Sequence, residues 1–136
     1  MEALGKVLGK VLVVDDDPSM RRLIRVHLEA AGLEVEEAAC GRSAIESIER
    51  SPPDLVCLDL TLPDVSGWKV CEFVRARAAL HEIPVLMVSA RAMPADRAFA
   101  AEVGAADYLV KPFSAAELQR RVWALLAPTT LARVAR

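Results

Sequence analysis

Apolar positions along the chain fall by turns into short unbroken runs and into groups spaced three and four residues apart. Lys10 to Val14 is a β-branched run, as a buried strand requires, and it stops at Asp15, Asp16 and Asp17. Asp17 followed by Pro18 reads as an N-cap and a first-turn proline. Met20, Leu23, Ile24, His27, Leu28 and Ala31 then keep helical spacing up to a glycine stop at Gly32. Leu33 to Ala38 alternates apolar residues with Glu and predicts a second strand with one face less buried. Ala44, Ile45 and Ile48 mark a short second helix, ended by Ser51-Pro52-Pro53.

The cycle repeats through the second half. Leu55 to Leu58 predicts a third strand that ends at Asp59. Ser66 can cap a third helix with Val70, Phe73 and Val74 on its inner face. Ile83 to Val88 predicts a fourth strand ending at Ser89, and a fourth helix starts near Pro94 and stops at Gly104. Tyr108 to Val110 predicts a fifth strand ending at Lys111-Pro112. Ser114-Ala115-Ala116-Glu117 has the form of a capping box and opens a last helix carrying Leu118, Val122 and Leu125. Strict alternation of strand and helix implies an α/β fold with a five-stranded parallel sheet covered by helices on both faces, joined by right-handed crossovers. The short repeat Gly5-Lys6-Val7-Leu8, Gly9-Lys10-Val11-Leu12 offers two starts for the first strand, and the second runs directly into the aspartates. The expected organisation is an N-terminal extension over 1–9, one domain over 10–127, and a tail or linker over 128–136.

Composition narrows the class. The chain has 136 residues, 54% hydrophobic and 26% charged, so one soluble globular domain is expected rather than a disordered segment. No apolar run approaches the length of a membrane span, and the start lacks the apolar core of a secretory leader. A net charge of −2 gives this chain none of the basic character of a domain that binds nucleic acid through its own surface. The three cysteines, Cys40, Cys57 and Cys71, form no C-x-x-C pair and suggest a reducing compartment.

The candidate chemistry lies at one edge of the sheet. In an open parallel α/β sheet, ligands bind beyond the carboxyl ends of the strands. Asp15 and Asp16 follow strand one, Asp59 strand three, Ser89 strand four and Lys111 strand five. If strands one and three are neighbours, three carboxylates converge, and like charges at that distance raise one another's pKa. A hard divalent cation compensates, and Mg²⁺ (or Mn²⁺) takes one or two carboxylates, waters and a phosphate oxygen. A nucleophilic carboxylate, a metal, a hydroxyl and an ammonium are the parts needed to receive a phosphoryl group on an aspartate. Taken singly, an Asp at a strand end is usually a helix cap and a lone Lys is solvated; four strand ends supplying such groups together is another matter.

The motifs Val13-Val14-Asp15-Asp16-Asp17, Asp54 to Asp59, Leu62-Pro63 with Gly67, Val88-Ser89-Ala90 and Tyr108 to Phe113 resemble the receiver domain of bacterial two-component response regulators. The likeness runs from about Lys10 to Leu126. It implies the CheY-like, flavodoxin-like strand order 2-1-3-4-5, which puts strands one and three side by side. It implies Asp59 as phosphoacceptor, Asp16 as direct Mg²⁺ ligand, Asp15 acting through water, and the Thr61 backbone carbonyl as a further ligand. Ser89 becomes the switch hydroxyl, Lys111 the phosphoryl contact, Lys111-Pro112 a cis bond, and Tyr108 the switch aromatic that turns inward. The donor would be a sensor histidine kinase or a phosphotransfer protein, in the cytoplasm, and the fourth helix, fifth strand and fifth helix would form the output face. The domain would catalyse its own phosphorylation without turning over an external substrate.

The sequence departs from the family at Leu62-Pro63, where Met-Pro is commoner. Ala90 leaves the pocket open, and Arg91 is either a phosphate guide or a solvated arginine. The winged-helix transcription-factor branch dimerises through its output face, which suggests cross-subunit pairs here of Arg97 with Glu117 and Asp107 with Arg121. A third pair is missing at Ala106 and Trp123. His27 and His81 need no ligand role, Cys57 is expected in the core, and Trp68 is expected to pack at the start of the third helix. Two other classes stay open: an aspartate-nucleophile phosphohydrolase, though Thr61 stands where its second Asp is usual, and an interaction module with an inactive pocket. The chain is expected to be a stand-alone receiver or a piece of a longer regulator.

Overall fold

Five β-branched or leucine-rich segments become strands, and the stretches of helical spacing between them become helices. The computed structural model describes residues 9–135, with side chains through residue 127. The strands are β1 (Lys10–Val14), β2 (Glu34–Ala38), β3 (Leu55–Leu58), β4 (Val85–Ser89) and β5 (Asp107–Val110). The helices are α1 (Pro18–Ala30), α2 (Gly41–Arg50), α3 (Gly67–Ala76), α4 (Pro94–Glu102) and α5 (Ala115–Ala135). All strands are parallel in the order β2-β1-β3-β4-β5, so the expected fold class holds. Residues 1–8 of the expected extension lie outside the described residues, and the boundary expected at residue 127 falls within α5.

Strand side chains alternate between two cores, as the pleat requires. Val11, Val13, Leu55, Cys57, Leu86, Val88 and Leu109 face α1 and α5, where Ile24, Leu28, Leu118, Val122 and Leu126 are buried. Leu12, Val14, Val56, Leu58, Val85, Met87 and Tyr108 face α2, α3 and α4, where Ile48, Val70, Val74 and Ala100 are buried. A sheet buried on both faces explains the unbroken apolar runs, and each fully buried leucine contributes about 2 kcal/mol.

Several local expectations change. Leu126, not Leu125, completes the inner stripe of α5, because positions 118, 122 and 126 keep a four-residue step. In α3, Cys71 joins Val70 and Val74 in the core and Phe73 is only partly covered. Ser66 occupies the N-cap of α3 but its side chain makes no capping bond. Asp17 does cap α1, accepting from the Ser19 amide at 2.9 Å. Ser114 caps α5 by accepting from the Glu117 amide at 3.1 Å, while Glu117 turns to Arg121 and leaves the reciprocal half of the box unmade. β4 starts at Val85 rather than Ile83, because Pro84 has no amide to donate to a neighbour.

Candidate functional site

The site is built by the ladder itself. β1 pairs with β3 up to Val14 and Leu58, and one further bond, Asp59 amide to Val14 carbonyl at 3.0 Å, carries the pairing past the strand ends. The Asp15 amide likewise donates to Ala38 at 3.1 Å. Asp15 and Asp59 are thereby fixed side by side at the carboxyl edge. Asp15, Asp16 and Asp59 each present an oxygen, and these oxygens lie within 4.8 Å of one another. Asp15 and Asp59 are buried and Asp16 is exposed.

Lys111 is held at the same edge by the same device, from the end of the outer strand β5. Its amide donates to the Ser89 carbonyl at 2.9 Å, and the Lys111–Pro112 peptide is cis. Its Nζ donates to Asp15 Oδ2 at 2.7 Å and to Asp59 Oδ2 at 3.2 Å. Burial raises the Asp59 carboxyl above the ordinary carboxylate range, and the Asp15 charge adds to that; Lys111 and the Thr61 amide oppose it. Burial lowers the Lys111 ammonium, but the hydrogen bond to Asp15 and the two carboxylate charges outweigh it and hold its pKa above the usual lysine value. Three carboxylates face one ammonium. That surplus of hard oxygen donors fits a small divalent cation, and the acidic pocket fits a phosphoacceptor site.

Around this pocket the remaining expected residues take different places. The Thr61 amide donates to Asp59 Oδ1 at 3.2 Å, which orients the carboxylate. Asp15 Oδ1 accepts from the Asp17 amide at 2.9 Å. Ser89 is buried at the end of β4, and its Oγ accepts from the Arg91 amide at 3.1 Å. Tyr108 is buried, and its hydroxyl donates to the Arg91 carbonyl at 2.8 Å. The Arg91 guanidinium pairs with Asp96 in the first turn of α4 at 2.9 Å, while the side chain stays more than half exposed to solvent. Ser89, Tyr108 and Asp96 all meet at one residue of the β4–α4 loop, a convergence that the sequence pattern does not reveal.

The charges expected to pair between subunits find partners within the chain. Arg121 bonds Asp107 at 3.1 Å, Glu117 at 3.0 Å and the Tyr108 carbonyl at 3.0 Å. Arg97 lies 5.6 Å from the Tyr108 ring centre. Cys57 is buried, and burial pushes its thiol up to about 12, in keeping with a core role. Trp68 is half-buried and meets Phe99 of α4 edge-on, with ring centres 4.3 Å apart.

Two contributors owe their roles to the fold rather than to spacing along the chain: Gly67, whose place in the motif gave no reason for it, and Asp64. A Cβ on Gly67 would come within 2.4 Å of the Asp59 carbonyl oxygen and 2.9 Å of Leu60 Cα, so only glycine lets α3 start this close to the end of β3. Asp64 caps α2 from another loop, accepting from the Gly41 amide at 2.8 Å and the Arg42 amide at 2.9 Å. Asp64 and Gly41 are 23 residues apart, and no periodicity links them.

Residues 11–123 match the response regulator receiver domain family. The DNA-binding dual master transcriptional regulator RpaA of Synechocystis sp. is 40% identical over 122 residues, covering 90% of this chain and 51% of the relative. The phosphate regulon transcriptional regulatory protein PhoB of Rhizobium meliloti is 40% identical over 120 residues, covering 88% of this chain and 53% of that protein. Among solved structures, the chemotaxis response regulator CheY4 of Vibrio cholerae superposes with a TM-score of 0.82 at 33% identity, covering 86% of this chain and 98% of that one. This chain belongs to the response regulator receiver domain family. It is a signalling receiver of two-component systems rather than an enzyme that turns over an external substrate, and its fold is the CheY-like one. The chain spans about half the length of the curated relatives it matches. Among the described residues, no helix is long and apolar enough to cross a membrane.

Proposed function

We propose that Asp59 is the phosphoacceptor and that the groups around it receive a phosphoryl group from the phosphohistidine of a sensor histidine kinase or a phosphotransfer protein. The observation that carries this reading is the convergence of three carboxylates and the Lys111 ammonium at the end of paired β1 and β3. An Asp59 carboxylate oxygen attacks phosphorus in line; the new O–P bond forms as the P–N bond to the donor histidine breaks. Asp16 would hold Mg²⁺ (or Mn²⁺) directly, Asp15 through water, with Asp59 and the Thr61 carbonyl completing the protein ligands. The cation, when bound, neutralises charge on the transferring oxygens. Lys111 neutralises the charge on the other side, and Ser89 donates a hydrogen bond to a phosphoryl oxygen.

The same reading assigns the switch. When Ser89 turns toward the phosphoryl group, its Oγ no longer accepts from the Arg91 amide. Tyr108 is bonded to the carbonyl of that same residue, so the two side chains respond together. The change biases a two-state loop and reaches the α4–β5–α5 face. Arg97, Asp107, Glu117 and Arg121 on that face would exchange partners with those of a second copy to form a homodimer on phosphorylation. By likeness to transcriptional regulators, the output is control of transcription, with no nucleic acid bound by this chain itself. The reading places the receiver over 10–127, with 1–9 as an extension and 128–136 as a tail or linker, in the cytoplasm.

The test is labelling by a small phosphodonor with Mg²⁺. Wild-type protein takes up acid-stable, base-labile phosphate and Asp59→Asn takes up none; undiminished labelling of the variant overturns the assignment.

A further inference from the structure

We propose that Asp64 is a positioning residue for the divalent-cation site, acting by clamping the loop that carries Thr61 onto the N-terminus of α2. The proposal rests on the reading of Asp59 and its neighbours given above. The loop from Leu60 to Ser66 connects β3 to α3 and contains the carbonyl assigned to the cation. Its downstream end is fixed where the Gly67 amide donates to the Leu60 carbonyl at 3.0 Å, with the Gly67 backbone packed against Asp59. Its middle is fixed by Asp64 alone among its polar side chains described here. One oxygen, Oδ1, accepts from the Gly41 amide at 2.8 Å and from the Val65 amide at 2.7 Å; the other accepts from the Arg42 amide at 2.9 Å.

The bonds to Gly41 and Arg42 satisfy amides that a helix leaves without partners in its first turn, and they place a carboxylate at the positive end of the α2 dipole. The Asp64 carboxyl is held well below the usual carboxylate range by hydrogen bonds, first from Arg42 and then from Gly41 and Val65. The contact is close: a Cβ on Gly41 would come within 2.8 Å of Val65 Cβ and 2.9 Å of the Val65 carbonyl oxygen. Thr61 therefore stands in a loop pinned on both sides, at α2 by Asp64 and at α3 by Gly67. Its amide already points at Asp59, so the loop's position decides how Thr61 and Asp59 face a shared cation.

A cap that only stabilised α2 would alter the melting temperature and nothing else. The test compares Mn²⁺ binding, followed by electron paramagnetic resonance, in wild-type, Asp64→Ala and Ile48→Val proteins. Ile48 is a buried α2 residue that takes no part in the Asp64 hydrogen bonds, so its variant weakens α2 while leaving the groups of the clamp in place. Asp64→Ala is expected to bind Mn²⁺ about tenfold more weakly, and to regain wild-type labelling by a small phosphodonor at saturating Mg²⁺. Ile48→Val is expected to lower the melting temperature and leave Mn²⁺ affinity unchanged. If Asp64→Ala does not fold, Asp64→Asn, which keeps one acceptor oxygen, serves in the same comparison and is expected to weaken binding less. Mn²⁺ affinity within twofold of wild type in the folded Asp64 variant overturns the proposal while leaving the Asp59 reading intact. Wild-type protein that neither binds Mn²⁺ nor becomes labelled overturns both.

Discussion

At Asp59, burial and charge act against each other. The carboxylate must be ionised to attack phosphorus, yet it is buried beside Asp15 and its pKa is raised above the ordinary range. A carboxyl whose folded pKa lies above its unfolded one binds its proton more tightly in the folded state. Stability therefore falls as pH rises through the interval between the two values, and the penalty is complete above the folded value. Asp59→Asn removes that penalty. In the absence of divalent cation the variant is expected to melt at a higher temperature than wild type at pH 7, and the gap is expected to close at pH 4. Added Mg²⁺ should raise the wild-type melting temperature and leave that of the variant nearly fixed, since a ligand stabilises only the form that binds it. A lower melting temperature for cation-free Asp59→Asn would contradict this account of the site. The strand-end residues Asp15, Asp16, Asp59, Ser89 and Lys111 were legible in the sequence, because each interrupts an apolar run at the same relative place. The Arg91 node was not, since its bonds to Ser89 and Tyr108 use backbone atoms that any residue carries.

The elements were readable where one period dominates. The buried strands and the 118–122–126 stripe of α5 follow from spacing, with the inner position shifted by one residue at Leu126. What spacing does not encode is how loops meet helices. Gly67 is one such meeting, because the Cβ of Gly67→Ala would fall on backbone atoms that cannot rotate away. That substitution is expected to destabilise the domain by about 1–3 kcal/mol, and to slow labelling of Asp59 in the fraction that stays folded; unchanged melting and labelling would refute the close approach. Asp64 is the other. Its lowered pKa means that its carboxylate stabilises the fold above the unfolded carboxylate pKa and loses that effect as pH falls toward the folded value. Melting-temperature profiles of wild type and Asp64→Asn are thus expected to differ at pH 7 and to converge on acidification below about pH 4. Parallel profiles would show that the carboxylate charge contributes nothing to the clamp.

For the molecule as a whole, the strand order brings these parts together. Placing β1 between β2 and β3 puts Asp15 beside Asp59, and continuing through β4 to β5 brings Lys111 to the same edge. The α4–β5–α5 face lies alongside, with Arg121 holding Asp107, Glu117 and the Tyr108 carbonyl within one chain. These pairs are only about a third exposed, so solvent screens them in part, and equivalent pairs across a dimer would replace what each one contributes. Sedimentation of this chain is expected to give a monomer alone and a dimer with beryllofluoride and Mg²⁺; a monomer in both states would remove the dimer from the account. The central claim is that one carboxylate receives the phosphoryl group, and site mapping by mass spectrometry tests it most directly. After exposure to a small phosphodonor with Mg²⁺, the account predicts modification at Asp59 alone in the wild type and none in Asp59→Asn. Phosphate mapped to another residue, or retained by the variant, would contradict it.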